Sequence, residues 1–272
     1  MNKISKTKVL AITGVLGLGA LALGAGTLAY FTDTDNATNT FTVGNVDITL
    51  NEKQREIDNH GNKTTNLVNF EQSKTLYPIV GSAQGEKDTL NMPTAKNYVD
   101  KIVTVTNNNS SDAWVRAYFA IPSALDNGYE TFNASINALH FNFGNDASGA
   151  STFGTTWNWM HDGKWNYFET TIGDVAYNVY FADYKEKLPA GETTTQFVQG
   201  LYLDKSIDIN DDGNLTYGAN KKDLGWSADD EIKCPVFAVA VQAAGFDNAK
   251  DAIEAAFGTE YNPWGTTASN WQ

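Results

Sequence analysis

Hydrophobic and polar residues alternate along most of the chain after the N-terminal region, in short runs separated by turn residues. This period of two is typical of β-strands, because successive side chains of a strand point to opposite faces of a sheet. The clearest runs are residues 41–50, 174–184 and 194–203. The first of them shifts its phase at Gly44 and Asn45, which predicts a single strand with a glycine bulge.

Further apolar runs predict the centre of the fold. Residues 98–106 and 113–121 are strand-like and are joined by the polar stretch 107–112, which predicts a β-hairpin. Residues 236–244 consist of Val, Ala and Phe with Gln242 as the exception. Such a run predicts a central strand that is buried on both faces.

Aromatic residues surround Asp162 and Gly163. An Asp-Gly pair between alternating aromatic positions is a strong signal for a tight β-hairpin. The hairpin would carry three tryptophans: Trp157, Trp159 and Trp165. Aromatic cross-strand pairs stabilise sheets, which favours a packed face, and the alternative is a surface on which sugars stack.

Only residues 247–257 show a clear helical period. Asp247 or Asn248 can cap the free amide groups at the start, and Gly258 can end the helix. The apolar stripe of this helix consists of Ala249, Ile253 and Ala256.

Many short strands, with turn residues between them and few helical segments, predict the fold class. We expect a mainly β protein, a jelly-roll-like two-sheet β-sandwich with one or two short helices in the connections. Single all-β domains of about 200–250 residues are ordinary, so residues 41–258 are predicted to form one domain. Residues 259–272 are predicted to be a C-terminal tail, in which Trp264 and Trp271 could engage a neighbouring molecule.

The beginning of the chain differs from the rest. Three lysines precede an uncharged, mostly apolar run at residues 9–29 that ends in small residues. This order is typical of a secretory signal peptide. The sequence predicts a signal peptide at residues 1–29, cleavage between Ala29 and Tyr30, and a mature N-terminal segment at residues 30–40. The alternative is a retained membrane anchor, since about 20 apolar residues span a bilayer.

The residues around this junction resemble a known family. Residues 24–35 (GAGTLAYFTDTD) and 39–50 (NTFTVGNVDITL) closely resemble the start of secreted proteins of the TasA/camelysin family. Four internal segments resemble recurrent core segments of that family: residues 101–109, 113–122, 188–194 and 239–246. The resemblance implies export through a dedicated signal peptidase of the SipW type. It also implies a secreted protein of the extracellular matrix or cell surface of a Gram-positive-type bacterium.

The charge of the chain limits its partners. The formal net charge is −13, and removal of residues 1–29 takes away three lysines and no acidic residue, which leaves −16. Such a surface repels nucleic acid and anionic lipid. We therefore expect no nucleic-acid partner, and membrane contact only through the uncleaved signal peptide.

Cys234 is the single cysteine, so no intramolecular disulfide can form. It stands directly before Pro235 and a very apolar strand. This context favours a buried free thiol over a catalytic nucleophile.

An acidic loop is the candidate for an ion site. Asp208, Asn210 and Asp212 are spaced by two residues before Gly213, as in the first half of a calcium loop, and oxygen ligands suit Ca²⁺. The pattern then departs from a calcium loop, because Ala219 occupies the position of the bidentate glutamate. The alternatives are a loop stiffened by Ca²⁺ and a solvated acidic turn.

Zinc chemistry has to be weighed because the resemblance includes relatives described as metallopeptidases. The only histidines are His60, His140 and His161, and none has a second histidine four residues away. A helical zinc site of the His-Glu-x-x-His type requires that spacing. The sequence therefore contains no recognisable zinc motif, and we expect no enzyme activity.

The mature N-terminus offers a physical route to assembly. Its apolar positions are Tyr30, Phe31, Phe41, Val43, Val46, Ile48 and Leu50. Such an extended segment can add a strand to the sheet of a neighbouring copy. Head-to-tail donation is heterologous and builds an open filament. The alternative is that residues 41–50 pair within their own sandwich, which leaves the donor mainly in residues 30–39.

We therefore predict a secreted structural protein of extracellular fibres or a biofilm matrix, as the resemblance implies. Its main partner would be another copy of itself, with minor matrix or anchoring proteins beside it, and it would require no cofactor. The alternative from another class is a surface adhesion or carbohydrate-binding module that uses the tryptophan hairpin and the acidic loop. A camelysin-like metallopeptidase is the third possibility.

Overall fold

The computed structural model describes residues 38–41, 46–71, 74, 76–82, 85–129, 137–227 and 230–272. The predicted signal peptide, its cleavage site between Ala29 and Tyr30, and the predicted assembly residues Phe31 and Val43 lie outside these ranges. Within them the protein is mainly β, as predicted. No helix in these ranges is both long enough and apolar enough to span a membrane.

Eighteen strands and one α-helix are found in the described ranges. In chain order the strands are β1 (Thr38–Phe41), β2 (Val46–Ile57), β3 (Lys63–Asn69), β4 (Val99–Asp100), β5 (Ile102–Asn107), β6 (Ala113–Pro122), β7 (Leu139–Phe143), β8 (Trp157–Asn158), β9 (Met160–His161), β10 (Lys164–Trp165), β11 (Tyr167–Ile172), β12 (Val175–Tyr184), β13 (Val198–Leu203), β14 (Ile207–Ile209), β15 (Asn214–Tyr217), β16 (Lys222–Ser227), β17 (Val236–Gln242) and β18 (Ala268–Ser269). The helix, α1, spans Ala249–Phe257.

Two layers of strands form the sandwich. One layer is a sheet with the order β17-β6-β12-β11-β18, in which β8 also pairs with β12. In the other layer β2 pairs with β1, β3 and β5, and β13 pairs with β4 and β7. Main-chain bonds join the two parts of this layer, since the Thr194 and Phe197 N–H groups donate to the carbonyls of Val105 and Val103. The predicted β-sandwich is confirmed.

The first sheet is covered on both faces. Along β6, Ala117 and Phe119 enter the core between the layers, while Trp114, Tyr118 and Ala120 belong to a second apolar cluster on the opposite face. This alternation is the ordinary geometry of a strand. Because both faces are covered, all ten residues of β6 are buried.

Helix α1 and the C-terminal residues cover the outer face of the first sheet. The Asn248 side chain caps α1 by accepting from the Asp251 N–H, at 2.9 Å, and the helix ends at Gly258, as predicted. Beyond the helix, Trp271 stacks on Phe168 with 4.2 Å between ring centroids, and β18 pairs with β11. The interpretation of this segment as a loose tail is wrong, because its aromatic side chains bury the apolar outer face of the sheet.

Residues 98–106 and 113–121 contribute strands, but the predicted hairpin between them is wrong. β5 pairs with β2, whereas β6 pairs with β12 and β17. The chain therefore crosses from one layer to the other after Asn107 instead of reversing within one sheet. A strand as apolar as β6 is stabilised by neighbours on both edges and by cover on both faces.

The predicted single bulged strand at residues 41–50 is also wrong. β1 and β2 are separate strands that pair antiparallel, with Phe41 opposite Val46. Their antiparallel pairing means that Phe41 and Val46 belong to strands of opposite direction. Gly and Asn favour turns as well as bulges, so the same phase shift in the pattern fits a hairpin.

Strand β17 is buried on both faces, as predicted, but it is not central. In the described part of the chain it pairs with β6 alone. Its outward face contributes Phe237, Val239 and Val241 to the cluster that includes α1. An edge strand can therefore be as apolar as a central one, provided that a helix covers its outer face.

The lone thiol is expected to be inert in the folded protein. Cys234 is fully buried, and desolvation raises the pKa of its thiol to about 12. Because the thiolate is the reactive form, an aromatic disulfide reagent at neutral pH should not label the native chain. The same reagent should label one thiol per chain in denaturant, and rapid labelling without denaturant would contradict the burial.

Candidate functional site

The N-terminal edge of the second layer is the candidate functional site. β1 pairs with the first part of β2, with Thr38 opposite Thr49, and β3 pairs with the last part, with Lys53 opposite Asn69. β5 occupies the opposite side of β2. β1 and β3 therefore follow one another along one side of β2, and in the described ranges neither pairs with another strand on its outer side. We call this side the β1/β3 edge.

The predicted assembly residues on β2 do not reach a free edge. Val46, Ile48 and Leu50 are at most 3% exposed and lie in the core between the layers. The described structure thus agrees with the alternative in which this stretch pairs within its own sandwich. β2 therefore has neighbours on both sides within its own chain.

The outer end of the β1/β3 edge carries apolar side chains in solvent. Leu67 of β3 is 44% exposed, and most of β3 is exposed, while Ile57 at the end of the neighbouring β2 is 57% exposed. Unpaired N–H and C=O groups along an edge strand are a template for another strand. This edge thus combines free main-chain groups with apolar side chains that a partner strand would cover.

A buried ionic cluster connects β2 and β3 to β4. The fully buried Arg55 side chain donates from Nε and Nη2 to the two Asp100 oxygens, at 2.8 and 2.7 Å, and from Nη1 to Asp88 Oδ2, at 2.8 Å. Lys63 Nζ donates to Asp100 Oδ1 at 2.8 Å. Burial alone would raise the pKa of Asp100, but the Arg55 hydrogen bonds and the Lys63 charge hold it below its usual value.

In the sequence, charged residues within strands indicate this buried ionic cluster and a second one. Arg116 interrupts the apolar run of β6, and its Nε and Nη2 donate to Asp183 Oδ1 and Oδ2, at 2.6 and 2.9 Å. Both side chains are almost completely buried. Sequence patterns identify such positions as unusual but do not identify the partner, because the partner stands on a distant strand.

The acidic loop folds as a turn between β14 and β15. Asp208 forms an ion pair with Lys221, and Asn210 Oδ1 accepts from the N–H groups of Asp212 and Asn214, at 3.1 and 2.8 Å. Hydrogen bonds of this kind are a common reason for Asp, Asn and Gly in turns. Binding of Ca²⁺ by Asp208, Asn210 and Asp212 stays a prediction.

The three histidines stand apart in different environments. His60 lies in an exposed turn, His140 Nε2 lies 3.2 Å from Asp204 Oδ2, and His161 Nε2 lies 2.9 Å from Asp183 Oδ2. No three His, Cys, Asp or Glu side chains of the described residues converge on one point where they could hold a metal. The described residues therefore do not fit a peptidase zinc ion.

The predicted tryptophan hairpin forms at its centre, between β9 and β10, whereas Trp157 lies on β8, which pairs with β12. His161 pairs with Lys164 across Asp162 and Gly163, whose φ angles of 52° and 77° suit the favoured two-residue hairpin turn. Two of its tryptophans, Trp157 and Trp159, are 0% and 1% exposed. Packing in the core is thus confirmed over a sugar-stacking surface at these two positions.

Comparison with known proteins gives one match. A family model described as "Camelysin metallo-endopeptidase" matches residues 3–69, from the predicted leader to the end of β3. The match confirms the resemblance to the TasA/camelysin family that the N-terminal residues indicate. No curated protein and no solved structure matches the chain.

Proposed function

We propose, from the match of the N-terminal residues to the TasA/camelysin family, that this protein is a secreted structural subunit of extracellular fibres or a biofilm matrix. The β1/β3 edge is the observation that carries the proposal. It offers unpaired main-chain groups and the exposed Leu67 of β3, and its first strand, β1, comes directly after the segment that signal-peptide cleavage would free. That segment, residues 30–37, would add a strand to the β1/β3 edge of the next copy.

The chemistry of strand addition explains both affinity and order. Main-chain hydrogen bonds would supply affinity, and Tyr30 and Phe31 would cover apolar side chains of the acceptor. Donor and acceptor are different surfaces of the same chain, so the contact is heterologous and repeats along an open filament. Cleavage after Ala29 would release the donor, and so export and assembly would be coupled.

A structural role is proposed in place of the catalytic one named in the family description. The described residues do not fit a zinc ion, and the buried Asp183 is already paired with Arg116. No cofactor is required for strand addition, and minor matrix or anchoring proteins would hold the fibres at the cell surface.

Electron microscopy of two purified chains tests the assembly proposal. The chain that begins at Tyr30 is expected to form filaments, and the chain that begins at Thr38 is expected to stay monomeric. The second chain retains β1, so both should unfold at similar temperatures. Filaments from both chains, or from neither, would contradict donation by residues 30–37.

The acceptor is tested by a charge at the β1/β3 edge. Leu67→Lys should abolish filaments, because lysine on an edge strand opposes the addition of another strand. Val80→Lys is the matched control, since Val80 is 62% exposed and lies outside β1 and β3. Equal filament formation by the two variants would place the acceptor elsewhere.

A further inference from the structure

A polar cleft of about 420 Å³ lies where the end of β6, β11, β12 and the C-terminal residues meet. Its volume is within the range of small-molecule sites, about 300–1,000 Å³. The lining residues used below are Asp126, Tyr129, Tyr167, Glu169, Asn178 and Asn270. We call it the Asp126 cleft. It is separate from the β1/β3 edge and from the acidic loop.

Asp126 presents an unpaired acceptor beside this cleft. Its side chain is 95% buried, and Oδ2 accepts from Tyr180 Oη at 2.7 Å, from Asn178 Nδ2 at 2.8 Å and from the Gly128 N–H at 3.2 Å. Its second oxygen, Oδ1, is also buried and has no hydrogen-bond partner among the described residues. A buried acceptor without a partner costs free energy, and a ligand donor would recover that cost.

Gly128 allows the tyrosine wall to close over this carboxyl group. Its φ of 78° favours glycine, and a Cβ atom there would lie 3.2 Å from Tyr167 Oη. The Tyr167 hydroxyl lies 2.9 Å from Asn178 Oδ1 and 3.0 Å from Glu169 Oε1. The Tyr167 hydroxyl thus connects Glu169 to Asn178, and Asn178 donates to Asp126.

The C-terminal residues build the other wall. β18 pairs with β11, with Ser269 opposite Glu169, and Asn270 Nδ2 donates to Glu169 Oε2 at 2.8 Å. The Gln272 N–H donates to the Tyr167 carbonyl at 3.1 Å. Asn270 and Gln272 therefore complete the lining of the cleft.

The lining chemistry selects a class of ligand. Two carboxylates line the cleft, and no Lys or Arg of the described ranges does, so an anionic ligand is disfavoured. Burial, the largest influence, raises the pKa of Asp126, and the side chains that hold this carboxyl are uncharged Tyr and Asn. Because these protein donors are uncharged, the Asp126 carboxyl group is suited to accept also from the hydroxyl group of a neutral ligand. A cation would need the charged carboxylate, and burial disfavours that form.

Aromatic rings supply the apolar part of the site. Tyr129 and Tyr167 have ring centroids 4.9 Å apart, and Tyr129 is half-buried at the cleft. A sugar ring has hydroxyl groups at its edge and C–H groups on its faces. It therefore matches carboxylate and amide groups beside aromatic rings.

We propose that the Asp126 cleft binds a neutral sugar unit, with Asp126 and Glu169 accepting from its hydroxyl groups and Tyr129 covering one face. The site would connect the protein to a neutral polysaccharide. It does not depend on filament formation, and the monomeric chain that begins at Thr38 contains the whole cleft.

Calorimetric titration of that monomeric chain tests the proposal. The probes are the methyl glycosides of glucose, galactose, mannose and N-acetylglucosamine, together with lysine methyl ester. Saturable binding of at least one glycoside is expected. Glu169→Gln and Asp126→Asn should each weaken it about tenfold or more, because each removes a hydrogen bond to a charged or buried acceptor.

The controls separate binding from folding. Asp174→Asn removes an exposed carboxylate outside the cleft and should bind as the parent chain does. If Asp126→Asn unfolds, Glu169→Gln and Tyr129→Leu still test the site, since both residues are only partly buried. Absence of saturable binding for all four glycosides, unchanged binding in the folded cleft variants, or binding of lysine methyl ester alone would overturn the proposal.

Discussion

Trp159→Ala is expected to lower the free energy of unfolding by about 3–5 kcal/mol, the usual cost of truncating a large buried aromatic residue. Trp159 is 1% exposed and lies flat on Phe197, with ring centroids 4.5 Å apart and an interplanar angle of 1°. Phe143 packs against it edge-on, with centroids 5.0 Å apart. The substitution would leave a cavity between the two layers. Unfolding in urea, followed by circular dichroism, measures the loss.

The matched control is a tryptophan of the same hairpin. Trp165 is only half-buried, and so Trp165→Ala should cost clearly less than Trp159→Ala. The comparison also tests the idea of a sugar-stacking hairpin. A Trp159→Ala chain with parental stability and lost glycan binding would favour that idea and contradict core packing.

Asp100→Ala is expected to cost about 3–5 kcal/mol, since removal of one partner leaves a buried charge uncompensated. Asp100 binds both Arg55, whose side chain is 0% exposed, and Lys63. Without it, the Arg55 guanidinium would keep Asp88 as its one charged partner among the described residues. Urea unfolding at neutral pH measures the effect.

A double variant and an exposed pair are the controls for Asp100. Arg55→Met with Asp100→Leu should be more stable than Asp100→Ala, because the fully buried guanidinium is removed together with Asp100, and the charges that remain, Asp88 and Lys63, are partly exposed. Glu71→Ala breaks the exposed ion pair with Lys74 and should cost at most about 1 kcal/mol. Equal losses in the free energy of unfolding for Asp100→Ala and Glu71→Ala would contradict the conclusion that burial makes the loss of Asp100 costly.

The same cluster predicts a dependence on pH. The pKa of Asp100 is lowered in the folded protein, so its contribution to stability is fully present above the unfolded pKa of about 3.9. It is lost as the pH falls through the lower, folded pKa. The difference in stability between the parent chain and Asp100→Ala should therefore shrink below about pH 4. A difference that stays constant down to pH 2 would contradict this assignment.

Features that depend on neighbouring residues could be predicted from the sequence. Alternation predicted the strands that became β12 and β13, because side chains of a strand alternate between faces whatever its partner is, and continuous apolar runs predicted β6 and β17. Asp162 and Gly163 predicted their turn, and Asn248 predicted the start of α1, because turns and caps are made by local hydrogen bonds and φ angles. The N-terminal residues identified the family resemblance, which the family match confirms.

The contacts between distant surfaces could not be predicted from local patterns. Two apolar strands joined by a short polar loop fit either a hairpin or a crossover between layers, and burial of both faces of β6 selected the crossover. Arg55 and Asp100 are 45 residues apart, and Asp126 and Asn270 come together only because the C-terminal residues dock on the first sheet. Pairing across such separations depends on the shape and burial of the whole sandwich, which local patterns do not specify.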